Sequence, residues 1–305
     1  MLLKNNIPFS YVFGQIKYEV LLVSIYGIAI ELIELGYKSI TAIEFSIPLT
    51  VPTILGTVIS LLLAFRSNQS YERWWEARIV WGAIVNDSRT LSRQVLSLIE
   101  SNEENDELDR FRKKFITRQI AWNFALAKSL RNGIALPYIE KFLSPDEFEY
   151  VAKFDNVPYA LLDLHAKDLK FALQKGWLNR FQQIAIDDTI TRLCDSMGKC
   201  ERIKKTVFPS TYGLYIHFAL WVFTLSLPFA LIDLFGFIMV PVLVILSTCF
   251  FLIEKMAIQL QDPFENKPTD TPVMTISRTI ERDLKQMMEE SEIPLEMEKK
   301  EFYVM

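Results

Sequence analysis

Residues 45–65, "FSIPLTVPTILGTVISLLLAF", carry no charge over a length that can cross the hydrocarbon core of a bilayer, which takes roughly 20 mostly apolar residues. Three further runs share this character: "VLLVSIYGIAIELIEL" at 20–35, "LYIHFALWVFTLSLPFALI" at 214–232 and "FGFIMVPVLVILSTCFFLI" at 235–253. The first is the weakest, because Glu31 and Glu34 sit near its end. Asp233 and Leu234 alone separate the last two, which predicts a tight helical hairpin. Such runs belong either in lipid or in the core of a large soluble protein. Four of them in a chain that is 50% hydrophobic favour lipid. The 23% of charged residues place the remainder in water. The expectation is an all-α membrane protein with four transmembrane helices and a separate helical region.

Lysine and arginine concentrate on the cytoplasmic side of membrane proteins. Lys4 and Lys17 precede the first run, and Arg66, Arg73, Arg78, Arg89 and Arg93 follow the second. Lys199, Arg202, Lys204 and Lys205 precede the third, and Lys255 follows the fourth. The 36–44 loop has only Lys38, and the 233–234 turn has no basic residue. Both termini and the long middle segment are therefore expected in the cytoplasm. The chain divides into an N-terminal segment with the first two spans at 1–65 and a cytosolic helical region at 66–213. The other two spans, at 214–254, and a cytosolic tail at 255–305 follow. The N-terminus shows no continuous apolar stretch and no small-residue cleavage site, so no cleaved signal peptide is expected. A net charge of -4 gives no reason to expect nucleic acid. Cys194, Cys200 and Cys249 form no even disulfide framework.

The middle segment reads as helical. Leu108, Phe111, Phe115, Ile116 and Ile120 fall near one face of a run that stops at Asn132-Gly133. "SPDEFEYVAKF" opens with Ser144 as N-cap and Pro145 at the first helical position. A further amphipathic run, "WLNRFQQIAIDDTITRLCDSMG", is expected to end at Gly198. In the tail, Thr271 and Pro272 read as cap and first residue of a last helix.

No residue pattern points to catalysis. His165 and His217 lie far apart, and HExxH, Walker and GxSxG signatures are absent. Cys194 and Cys200 do not match a zinc pair and read as buried structural thiols. Asp187 and Asp188 could hold a divalent ion with a third acid nearby, but the next is Asp195, and a solvated helix face fits better. His217 reads as a hydrogen-bonded residue within a span. Neither a metal nor a cofactor is expected, and the chain is not read as an enzyme.

Directly after the second run comes "FRSNQSYERWWEARIVWG", residues 65–82. If the helix continues, Trp74, Arg78 and Trp81 share one face, with Arg78 able to stack on an indole. Arg73 and Glu76 stand at i, i+3 as an opposite-charge pair. An interfacial aromatic belt explains Tyr71, Trp74 and Trp75. It does not explain Trp81, roughly 24 Å of helix beyond Phe65. A long helix that leaves the membrane and packs into a helical body explains them all.

The stretch "NQSYERWWEARIVWGAIVNDSRTLSRQ" resembles the bestrophin family, especially its bacterial branch. The resemblance rests on Arg73-Trp74-Trp75, Trp81-Gly82 and the Asn86, Ser88, Arg89 step. "CERIKKTVFPSTYGLYIH" at 200–217, "LPFALIDLFG" at 227–236 and "DPFENKPTDTPVMTISRTIERDL" at 262–284 follow in the family's order, so the likeness covers most of the chain. It implies a homopentamer around one axial pore, with four spans and cytosolic helices from each subunit. The second span would line a narrow apolar neck. A wider cytosolic vestibule would follow, closed by a second constriction, the aperture. The residues "RWWEARIVW", with Arg73, Trp74, Trp75, Arg78 and Trp81, would form a packed collar.

Carried over by their offset from Arg73, the neck residues are Phe65, Leu61 and Thr57. Their spacing places them on one helix face without any family, where helix–helix packing is the alternative. Thr57 departs from the apolar residue usual there, so the outer ring is expected to be partly polar. Pro48 and Pro52 are placed to kink the helix at its outer end. Counting back from Gly198 puts the aperture at Phe181, with Ile184 one turn later; core packing is the alternative for both. Animal members carry a dense acidic cluster after the fourth span. Here only Asp262, Glu265 and Asp270 stand, interrupted by Lys267, and no calcium site is expected. The resulting expectation is a passive channel in a bacterial-type inner membrane, for an anion such as chloride or for sodium as in bacterial relatives. Its partners would be copies of itself, the lipid bilayer and small inorganic ions. A membrane-anchored helical scaffold is the alternative, ahead of an enzyme. Asp187 and Asp188, repeated fivefold, would favour cations if they faced the pore.

Overall fold

The computed structural model describes residues 8–38, 46–101, 106–206 and 209–297. Among these residues it is helical throughout, without a strand. Residues 39–45, where the second apolar run begins, lie outside the described residues. The chain forms two compact units. One joins Lys4–Arg73 to Val207–Asp262; the other consists mainly of Trp74–Thr206 and the chain from Pro263 on.

The first, the span unit, holds α1 (Phe9–Gly14), α2 (Lys17–Lys38), the first half of α3 (Thr50–Leu98), α9 (Ser210–Phe235) and α10 (Met239–Gln261). Its core is apolar and includes Val23, Ile59, Leu63, Leu220, Phe223, Leu243 and Phe251. Its outside is apolar too: Leu21, Ile25, Ile28 and Leu32 of α2 all stand exposed. A helix that is apolar all round suits lipid rather than water. Glycines let the helices approach. A Cβ on Gly27 would stand 3.0 Å from Leu243, and one on Gly56 would stand 3.0 Å from Phe223. The hairpin turns later than the sequence suggests. Asp233 and Leu234 are still helical, and the reversal falls on Gly236, whose φ of 49° suits a residue without a Cβ.

Neither proline kinks α3. Pro48 precedes the helix, and Pro52 sits in its first turn, where a backbone N–H would have no helical partner anyway. From Thr50, α3 runs unbroken for 49 residues into the other unit.

That second unit, the helical body, adds α4 (Asp106–Leu130), α5 (Leu136–Ile139), α6 (Pro145–Val151), α7 (Val157–Gln174), α8 (Arg180–Lys205) and α11 (Val273–Met287). The expected α4 face is buried at all five positions, and α4 sits at the centre of the core with Trp81 and Trp122. Asn132 ends this segment in the left-handed region at φ 54°, while Gly133 donates its N–H to Lys128 O at 2.9 Å. Ser144 and Glu147 form the capping box that opens α6. Two boundaries depart from expectation. Helix α8 passes through Gly198 to Lys205, because nothing crowds a glycine there and the preceding turns are already anchored. At α11, Pro272 takes the cap position and makes no side-chain bond, while Thr271 is buried with its N–H on Pro263 O.

Candidate functional site

Thr57, Leu61 and Phe65 share one face of α3, and that face points away from the subunit's own core. Leu61 is 68% exposed and Phe65 56%. The core-facing side of the same turns is Ile59, Leu63 and Arg66, all buried. Packing within the subunit therefore does not account for the three residues. The Thr57 hydroxyl donates to Thr53 O at 2.9 Å, so its proton is turned back onto the helix.

Phe181 and Ile184 stand in the first two turns of α8, whose start the Asn179–Gln182 capping box fixes. They are 84% and 58% exposed, which removes core packing as their explanation. Asp187, Asp188 and Asp195 are exposed on the same helix. Arg192 pairs with Asp87 at 2.9 Å and draws α8 to α3 within the body.

The tryptophan stretch packs in part. Trp81 is fully buried. The indole N–H of Trp74 donates to Thr269 O at 2.9 Å, and the Arg78 guanidinium lies 5.0 Å from the Trp74 ring. Such a cation–π contact contributes roughly 0.5–2 kcal/mol. Trp75 is half exposed. Arg73 and Glu76 each reach a partner distant in sequence. In the span unit Arg73 donates to Gln261 O at 3.0 Å and lies 3.9 Å from Asp262. In the helical body Glu76 pairs with Arg202.

The acidic segment after α10 is occupied by its own chain. Glu265 pairs with Lys267 at 2.6 Å, and Asp270 accepts the Lys267 backbone N–H at 3.1 Å. Burial pushes the Asp270 carboxyl up, against the pull of Lys267 and Arg131. Among the described residues no three His, Cys, Asp or Glu side chains group as metal ligands. Burial likewise pushes the Cys200 thiol up to about 12, which leaves it inert.

His217 is hydrogen-bonded, as its place in an apolar run suggests: Nδ1 lies 3.1 Å from both oxygens of Glu254. Sequence reasoning missed its partner Glu254, and Arg66, which lies 3.8 Å from Glu254. Both flank apolar runs, where a charge reads as a mere end-marker; their burial is what sets them apart.

The sequence matches the family of Bacterial/Fungal Bestrophin proteins over residues 6–286. The chain belongs to the bestrophin family. Its relatives include the voltage-dependent anion channel-forming protein YneE of Escherichia coli strain K12, 30% identical over 79% of this chain and 77% of that one. A similarly named protein of a Nostoc species is 28% identical over 90% of this chain and 87% of its own. The crystal structure of a bacterial bestrophin homolog from Klebsiella pneumoniae shares the fold, with a TM-score of 0.83 and 24% identity over 91% of this chain and all of that one. Family and apolar helices together make this bestrophin a membrane protein.

Proposed function

We propose that this bestrophin-family ion channel conducts small monovalent ions passively through an axial pore formed by five copies of the chain. The exposed apolar face of α3 carries the reading. Thr57, Leu61 and Phe65 turn outward from the side of α3 that Ile59 and Leu63 bury, and in a membrane protein such a face meets either lipid or other copies of the chain. Around an axis they form the neck, an apolar constriction that controls ions by width and by wetting. Phe181 and Ile184 form the aperture. Residues 1–65 and 214–254 supply four spans in a bacterial-type inner membrane; residues 66–213 and 255–305 are cytoplasmic, as are both termini. Arg73, Trp74, Trp75, Arg78 and Trp81 are the collar where α3 passes from one setting to the other.

The relatives named as voltage-dependent anion channel-forming proteins speak for anions. The exposed acids Asp187 and Asp188, within two turns of Phe181, favour the second reading, cations. Purified protein in liposomes tests the whole proposal. Flux with a reversal potential in asymmetric salt fixes the sign of the ion, and native mass fixes the copy number. No flux would leave a membrane-anchored scaffold; a stable monomer or dimer would end the axial pore.

A further inference from the structure

A chain of polar side chains links α3, α9 and α10 in the span unit. Arg66 on α3 and Glu254 on α10 are both buried, and they stand 3.8 Å apart. Glu254 faces His217 Nδ1 on α9 at 3.1 Å. Nε2 of His217 accepts the indole N–H of Trp221 at 3.0 Å. An indole nitrogen only donates. Nε2 therefore carries no proton, and the neutral ring holds its proton on Nδ1, where it donates to the carboxylate. Donation runs from the indole through the imidazole to the carboxylate, which also faces the guanidinium. Lys255 beside Glu254 is engaged separately, with Glu19 at 2.8 Å. Gly213 makes room for the guanidinium: a Cβ there would stand 3.0 Å from Arg66 Nη2.

We propose that Trp221, His217 and Glu254 are positioning residues which, through Arg66, set the rotation of α3 and hence the aim of Phe65. The inference rests on the neck reading above. Phe65 and Arg66 are neighbours, about 100° apart around the helix. With Arg66 drawn to Glu254, Phe65 is aimed away from α9 and α10. Ile59 and Leu63, the apolar contacts nearby, lack direction and tolerate a turn of the helix. Another polar anchor, Arg73 on Gln261 and Asp262, lies about two turns on. Charges inside a membrane protein are costly and are kept for a task. Removing the Glu254 charge takes away the carboxylate that faces a buried guanidinium, and α3 turns in response.

The test compares liposome flux for Glu254→Gln, His217→Ala and His217→Gln, each with the native neck and with L61A/F65A, in protein of parental oligomer size. E254Q and H217A should shift flux several-fold with the native neck. They should do nothing once the neck is alanine, where no ring remains to be aimed. His217→Gln can accept from Trp221 and donate to Glu254 through its amide, so it should restore what H217A loses. Equal shifts in both neck backgrounds would mean general damage and overturn the inference. Parental flux for E254Q and H217A, an H217Q no better than H217A, or failure of H217A to assemble would each do the same. If E254Q alone does not assemble, the His217 pair decides, since both charges stay in place. If L61A/F65A conducts like the parent, the neck reading itself fails, and this inference fails with it by a separately visible route.

Discussion

The span unit and the helical body each bury an arginine, and they hold it differently. In the body, Arg118 on α4 donates from Nε to Glu147 at 2.7 Å, pairs through Nη2 with Glu147 at 2.6 Å, and is bonded to Asp168 as well. Two carboxylates on two other helices clamp it. In the span unit, Arg66 faces Glu254 across 3.8 Å. The first arrangement suits a part that must keep its shape. The second places a charge pair where it bears on the rotation of one helix. The outsides differ in the same sense: α2 shows leucine and isoleucine outward, while α8 shows Asp187, Asp188 and Asp195.

The largest effect should come from undoing the clamp. Arg118→Met strands Glu147 and Asp168 in the body, and breaking a buried pair costs about 3–5 kcal/mol. Thermal melts and limited proteolysis of the detergent-solubilised protein should show a loosened body. A parental melt would mean that the clamp is no tighter in energy than the 3.8 Å pair.

The neck comes next. Leu61 and Phe65 both changed to alanine should raise conductance or reduce the closed fraction with the oligomer intact, because the ring no longer resists wetting. Thr57→Ala should do less. Single-channel recording that finds the double variant unchanged would return Leu61 and Phe65 to ordinary packing and cancel the assignment by offset from Arg73.

Acid should weaken the body by a smaller amount. Burial, with Arg118 alongside, pushes the His165 imidazole well below its ordinary 6.5. Unfolded chains take up that proton near 6.5 and the folded body does not. Stability contributed by the neutral form is therefore full above 6.5 and is lost as pH falls below it, by about 1.4 kcal/mol per pH unit. Melts between pH 7 and 5 should slope downward, and His165→Leu should flatten that slope. Equal slopes would place the acid sensitivity elsewhere. The smallest effect concerns calcium: currents should barely change between micromolar and chelated calcium, since Glu265 and Asp270 are engaged within their own loop. A steep, reversible dependence would contradict this.

What the sequence made legible was local. Ser144 and Glu147 lie three residues apart, so their capping box could be read directly; so could the α4 face and the Arg78–Trp74 stack. Partners distant in the chain decided the rest. Arg73 and Glu76 have the spacing of a helix pair, yet each reaches a group far along the chain, and spacing cannot foresee those partners. Gly198 looks like a stop because glycine is a weak helix former, but a few tenths to 1 kcal/mol does not outweigh a helix packed on both sides of it. The neck face was visible as a period of four. Its exposure, which separates a lining from a packing face, needed the folded subunit. Arg66 and Glu254 were invisible for the opposite reason: flanking charges are common, and burial is not written in one dimension.

The unbroken helix α3, about 74 Å long, restricts how this chain can vary in length. Each residue added to or removed from it between Phe65 and Trp81 would rotate one end against the other by about 100°. Single insertions would turn the neck face from its bearing while Trp81 stayed seated. Changes of seven residues, close to two whole turns, would nearly restore it. The segment from 66 to 80 is thus a ruler marked in turns rather than residues. Homologous channels built on the same helix should differ freely in loop length and hardly at all here.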